Sequence, residues 1–258
     1  MKKQWKQVLI IILACLCLFT LAKQNDNDAI TQRYIIASTI MYSDTSKNGH
    51  AIAFLKYGDT VIKKEQYGEY TKINYKNKDG YIKSEYLKNE KPKSICKEDG
   101  FVYTIVVNIV NEQLAKVDNK ILDKFEEDGF SIYATEEDLS ERFNLAKNDG
   151  HVLGLTSYKT SRILIGNSVH DAYYSTLHEL GHWIDYDFDF TSDSKLFQYI
   201  YQKEKNVFEK TFDYTITDAS ELFADGFFHY IDDTNKLKET CPCLYYYLYA
   251  VYLMEKTF

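Results

Sequence analysis

Two histidines four residues apart, with a glutamate directly after the first, form the segment His178-Glu179-Leu180-Gly181-His182. On an α-helix, positions i and i+4 share a face, so both imidazoles can present nitrogens to one Zn²⁺. Glu179 falls beside that face, in reach of a water held there but not aimed as a ligand. Helical context is present. Leu177, Leu180 and Ile184 recur at helical spacing, and Ser168 or Asp171 can cap the start. A catalytic zinc needs a third protein ligand and an open fourth position. The extended motif with a third histidine fails, because Asp185 replaces the required glycine and Phe188 stands where that histidine would be. His170 and His229 remain open as ligands, but neither has supporting residues around it. The best candidate is Glu221, in Ser220-Glu221-Leu222-Phe223-Ala224-Asp225, where Glu221 and Asp225 share a helical face. That pairing suits a zinc ligand followed by a carboxylate that accepts the other ring N–H of a ligating histidine, His178. The competing readings are a buried histidine pair, a solvated glutamate after an Asp218 cap and a surface aspartate.

These residues need elements to position them, and the charge pattern divides the chain. Residues 31–93 carry twelve basic and seven acidic side chains, whereas residues 94–258 carry fifteen and twenty-nine. The break falls at Lys91-Pro92-Lys93. Before it, Ile52–Leu55, Thr60–Ile62, Tyr70–Tyr75 and Tyr81–Ile82 read as short strands, with turns at Gly58-Asp59 and over Asn77–Gly80, so residues 31–91 predict a small all-β barrel. After it, Val102–Val110 reads as a strand, followed by an amphipathic helix through Leu114, Val117, Ile121, Leu122 and Phe125. Strands are expected at Phe130–Tyr133, Val152–Thr156 and Ile163–Ile165, and mostly helices from Asp171 onward. The class is α+β, with residues 94–258 as the second domain.

The first 22 residues read as an export signal: Lys2, Lys3 and Lys6, an uncharged run from Val8 to Ala22, and a small-x-small end at Thr20-Leu21-Ala22. A lipidated Cys15 fits less well, because Leu16 to Ala22 stays almost wholly apolar where polar residues would follow. The mature chain retains Cys96, Cys241 and Cys243, too few for a disulfide scaffold. The chain has 258 residues, is 45% apolar and 27% charged, and carries a formal charge of −7, which excludes disorder and argues against nucleic acid as the partner. A secreted or cell-surface location follows, with no stable membrane span after signal cleavage and a monomeric state expected.

Two resemblances add to this. Leu55-Lys56-Tyr57-Gly58, Gly68-Glu69-Tyr70-Thr71-Lys72-Ile73, Asp79-Gly80-Tyr81-Ile82 and Glu85-Tyr86-Leu87 resemble bacterial Src-homology-type barrels, which implies cell-wall or peptide contact. His178 to Tyr186, followed by Glu221-Leu222-Phe223-Ala224-Asp225-Gly226-Phe227, is similar to the catalytic domain of the anthrax lethal factor and Pro-Pro endopeptidase family of gluzincins. That resemblance implies one Zn²⁺ per chain, Glu179 as general base and a tyrosine seven residues before the glutamate ligand that stabilises the oxyanion; Tyr214 stands there. Asp225 departs from the family's usual glutamate. The implied activity is zinc-dependent endopeptidase action on extracellular or surface proteins, at proline-rich sites by analogy. A toxin-like protease acting on host proteins and a non-catalytic wall-binding protein on a peptidase fold are the alternatives.

Overall fold

The computed structural model describes residues 31–46, 49–142 and 152–257; the segment expected to be an export signal, with Cys15 and Cys17, lies outside them. Among the described residues no helix is long and apolar enough to cross a membrane.

The described residues open with β1 (Thr31–Ile35), β2 (Thr39–Tyr42), β3 (Ala51–Leu55), β4 (Thr60–Tyr67), β5 (Tyr70–Tyr75), β6 (Lys78–Lys83) and β7 (Leu87–Lys88). They form one sheet in the order β3-β2-β6-β5-β4-β1-β7, with every neighbouring pair antiparallel. Alternation is clean in β5, where Thr71, Ile73 and Tyr75 are buried and their neighbours are not. Ile73 and Tyr75 join Ile35, Met41, Leu55, Val61 and Ile82 in a core separate from that of the rest of the chain. The β5–β6 turn is tighter than the sequence suggests. Lys76 and Asn77 take φ of 49° and 63°, a two-residue hairpin connection, and Lys78–Gly80 already pair in β6.

Beyond residue 93 come β8 (Lys97–Asp99), α1 (Thr104–Leu114), α2 (Asn119–Glu127), β9 (Ser131–Thr135), β10 (Gly154–Ser157), β11 (Arg162–Gly166), α3 (Val169–Asp187), α4 (Lys195–Phe212), α5 (Ala219–Asp232), α6 (Thr234–Thr240) and α7 (Pro242–Glu255). The second sheet runs β10-β11-β9-β8, with β10 antiparallel to β11 and the other pairs parallel, so β10 is an edge strand. The run from Val102 is not a strand. Its β-branched residues favour one locally, but Val106, Val110 and Leu114 are spaced four apart and all buried, and that stripe decides for helix α1. The expected continuation is also broken: α1 ends at Leu114, and Asp118 starts α2 by accepting from the Lys120 N–H at 3.0 Å.

Side chains tie the two sheets' surroundings together. Lys88 Nζ donates to the Ala115 carbonyl at 2.9 Å and to that of Val117, satisfying free carbonyls after the end of α1. Ser38 N–H donates to Glu112 at 3.0 Å, and the Tyr57 hydroxyl donates to the Lys93 carbonyl at 2.6 Å. Lys93 in turn bridges Asp123 and Glu126, so the proline-containing connection is strapped to α2.

Helices α3 and α5 cross closely at Gly181. A Cβ there would sit 3.0 Å from the Ala224 Cα and 3.1 Å from the Phe227 Cβ. Backbone cannot yield as a flexible side chain would, so Gly181→Ala is expected to destabilise the fold by about 1–3 kcal/mol despite alanine's helix propensity. Thermal unfolding checks this; an unchanged or higher Tm would mean that the crossing is loose.

Candidate metal centre and active cleft

Helix α3 begins where Ser168 accepts from the Asp171 N–H at 3.0 Å, and Leu177, Leu180, Trp183 and Ile184 bury its core face. Helix α5 begins where Asp218 accepts from the Glu221 N–H at 3.1 Å. This cap places Glu221 in the first turn, opposite the face of α3 that carries His178 and His182. The three side chains meet: their ligand atoms lie within 4.8 Å of one another. His178 Nε2 and His182 Nε2 are 3.1 Å apart, and each is 3.4 Å from a Glu221 carboxylate oxygen.

Those separations test whether a metal fits. A tetrahedral ion with Zn–N and Zn–O bonds near 2.0–2.1 Å holds its ligand atoms about 3.3 Å apart, close to the observed triangle. The protonation pattern agrees. Asp225 Oδ1 lies 2.7 Å from His178 Nδ1 and can only accept, so that nitrogen carries a proton, and Nε2 is the nitrogen left to face the centre. His182 Nδ1 lies 3.4 Å from the Ser220 hydroxyl, which also donates to Asp185 at 3.3 Å. Two ring nitrogens and a carboxylate thus converge on one point, where a bound cation would take the place of a ring proton.

The field has the matching sign. Burial alone would lower the His178 pKa, but the hydrogen bond to Asp225 and the charges of Glu179, Asp225 and Glu221 outweigh it and raise it to about 9. Glu221 is held below the usual carboxylate range by its hydrogen bond with His182 and the charges of both histidines, against its own desolvation. Removing the orienting carboxylate should therefore weaken any metal held here: Asp225→Ala is expected to lower metal affinity about 10–100-fold. Chelator competition checks it, and unchanged affinity would leave Asp225 as a buried partner of His178 with no hold on the metal.

Glu179 is 5% exposed and receives the Thr156 hydroxyl at 2.7 Å on Oε2. The edge strand reaches it because Gly154 has no side chain; a Cβ there would lie 2.8 Å from Glu179 Cγ and 2.9 Å from the Ser175 Cβ. Tyr214 follows the end of α4, where Asp213 takes the left-handed φ of 60° and Tyr214 N–H donates back to the Glu209 carbonyl at 3.3 Å. Its ring meets His229 and Phe208. Burial, followed by the charge of Asp225, holds the Tyr214 phenol well above the ordinary range, so it stays a hydrogen-bond donor.

His178, Glu179, His182, Tyr214, Glu221 and Asp225 all line one cleft of about 1160 Å³, open to solvent. The open ligand candidates fall outside the triangle. His170 lines the cleft from the start of α3, and His229 is buried against Phe212, Phe208, Phe228 and Tyr214 with neither nitrogen hydrogen-bonded. Burial lowers its pKa to about 4, so it is a neutral ring in an aromatic setting. Cys96, Cys241 and Cys243 are free thiols. Sequence reasoning missed Thr156, Ser220 and Asp185. Ser220 adjoins Glu221 in sequence, but Thr156 becomes informative only when β10 is laid against α3.

No curated protein sequence matches the chain. Among solved structures, the Pro-Pro endopeptidase of Paenibacillus alvei is similar over 60% of this chain and 96% of that one, at 19% identity and a TM-score of 0.49. A family profile, that of the anthrax toxin lethal factor N- and C-terminal domain, matches residues 81–251, about two thirds of the chain and all of the centre just described. The chain belongs to the anthrax toxin lethal factor domain family.

Proposed function

We propose that this protein is an exported zinc-dependent endopeptidase of the gluzincin type, one Zn²⁺ per chain, held by His178, His182 and Glu221. The observation that carries the reading is the convergence of that triad beside Glu179 in an open cleft. Zn²⁺ held there supplies Lewis acidity and a water that ionises near neutral pH.

The chain's own groups then have defined tasks. Thr156 fixes the Glu179 carboxylate, which takes the proton from the attacking water and passes it to the leaving nitrogen as the C–N bond breaks. Tyr214 donates its hydroxyl proton's hydrogen bond to the scissile carbonyl oxygen as that oxygen gains negative charge. Asp225 keeps His178 in one tautomer. The free side of β10 offers backbone N–H and C=O groups to an extended peptide, which joins the sheet as one more strand. A non-catalytic binding role leaves the retained and oriented Glu179 without a task.

The finer parts rest on sequence. Residues 1–22 support export, and the net positive charge of residues 31–93 supports holding the N-terminal sheet, a Src-homology-type barrel, near anionic wall polymers. Unchanged wall retention after deletion of residues 31–91 would count against that role. Cleavage beside proline rests on the family resemblance alone, and a proline-scanned peptide library with no preference on either side of the bond removes it.

The deciding experiment measures zinc content and peptide-library hydrolysis for residues 23–258 and its Glu179→Ala variant. About one zinc in each, with cleavage only by the native form, is expected. Absence of zinc in both would sink the reading.

A further inference from the structure

The turn after the motif helix holds a conformation that its residues disfavour. Asp189 and Phe190 have φ of 61° and 53°. A bulky residue in the left-handed region crowds its own carbonyl and persists only where the surroundings over-determine it.

The clamp is visible on both sides. Asp185, fully buried, accepts from the Ser192 N–H and the Ser192 hydroxyl, each at 2.7 Å. Asp189 N–H donates to the Tyr186 carbonyl at 2.9 Å, and Asp193 N–H to that of Phe190 at 2.9 Å. Glycine or asparagine makes such a turn with less strain. An aromatic residue here answers to something other than the turn.

The ring does not go to the core. Phe190 is 37% exposed and lines the active cleft together with Tyr158. It stands edge-on to Tyr158 at 5.5 Å and to Tyr186 at 5.6 Å, while Tyr158 and Tyr186 stack at 4.7 Å. The Tyr158 hydroxyl donates to the His182 carbonyl at 3.4 Å, which sets this aromatic wall beside the second histidine of the triad.

We propose that Phe190, backed by Tyr158, is a specificity-determining residue: it presents an apolar wall that receives an uncharged apolar side chain of the substrate, flanking the scissile bond on the His182 side. The inference deepens the peptidase reading and rests on it. The backbone strain is the cost of turning the ring toward the cleft instead of into solvent.

The test uses the full-length protein and its Phe190→Gly and Phe190→Ala variants. Peptides carry proline, leucine, lysine or aspartate in turn at each position flanking the cleaved bond. The native protein is expected to favour apolar residues over aspartate at one position about 10–100-fold in kcat/KM, and both variants to bring that ratio within about threefold. The loss falls on the apolar peptides, zinc content stays at the native level, and the Tm of Phe190→Gly is unchanged or raised, because glycine adopts this φ freely. An apolar preference that survives both variants overturns the proposal. So does a uniform loss on all peptides with a lowered Tm, which makes the ring a structural element. A native protein that neither holds zinc nor cuts any peptide overturns the peptidase reading and this inference with it, whereas a native protein that cuts without apolar preference overturns this one alone.

Discussion

Glu179→Gln is expected to abolish nearly all peptide hydrolysis, lowering kcat by about 10²–10⁴-fold, while zinc content and Tm stay as in the native protein. The expectation follows from position and environment. Glu179 directly follows His178, is 5% exposed, and lies outside the His178–His182–Glu221 triangle. Glutamine keeps the shape and an oxygen for the Thr156 hydroxyl, so the packing against Gly154 and Ser175 is preserved. What it loses is a lone pair basic enough to take a proton. Metal analysis and single-turnover kinetics separate the outcomes. Lost zinc would make Glu179 a ligand, and retained turnover would move the general base elsewhere.

Tyr214→Phe is expected to lower kcat by about 10²–10³-fold with KM and zinc affinity unchanged, the signature of a donor that acts only as charge develops on the carbonyl oxygen. Phenylalanine keeps the ring contacts with Phe208 and His229, so the fold should not change. The pH dependence carries a sign. Burial raises the Tyr214 pKa, so its hydroxyl remains protonated at pH values where an ordinary tyrosine begins to ionise. The native pH–rate profile should therefore show no alkaline fall near pH 10 that the phenylalanine variant lacks. A raised KM at constant kcat would make Tyr214 a ground-state binding group, and no change in either would leave it as packing.

Much of the site was legible because helical spacing is local physics. Four residues per step place His178 with His182 and Glu221 with Asp225 on common faces before any tertiary contact is known. The caps at Ser168 and Asp218 were legible for the same reason, since a side-chain oxygen three residues before an unsatisfied N–H is a local feature. The strand read at Val102–Val110 failed where local preference and tertiary packing disagree. Valine and isoleucine favour strands in isolation, and only the core that Val106, Val110 and Leu114 enter selects the helix.

By itself, then, the sequence put His178 with His182 and Glu221 with Asp225 on common helical faces, set the charge contrast between residues 31–93 and 94–258, and carries the match to the family to which the chain belongs. It determined these because each is a matter of residue type and short spacing. The tertiary structure decided which donors meet. Gly181 lets α5 approach α3 until Glu221 is 3.4 Å from both histidines and Asp225 is 2.7 Å from His178, across 39 to 47 residues of chain. It also decided what surrounds them: Thr156 on Glu179, Ser220 on His182, and the Phe190 ring turned into the cleft by a clamp at Asp185. Such pairings depend on helix crossing, edge-strand placement and a left-handed turn, and none of these leaves a periodic mark in the residues that take part.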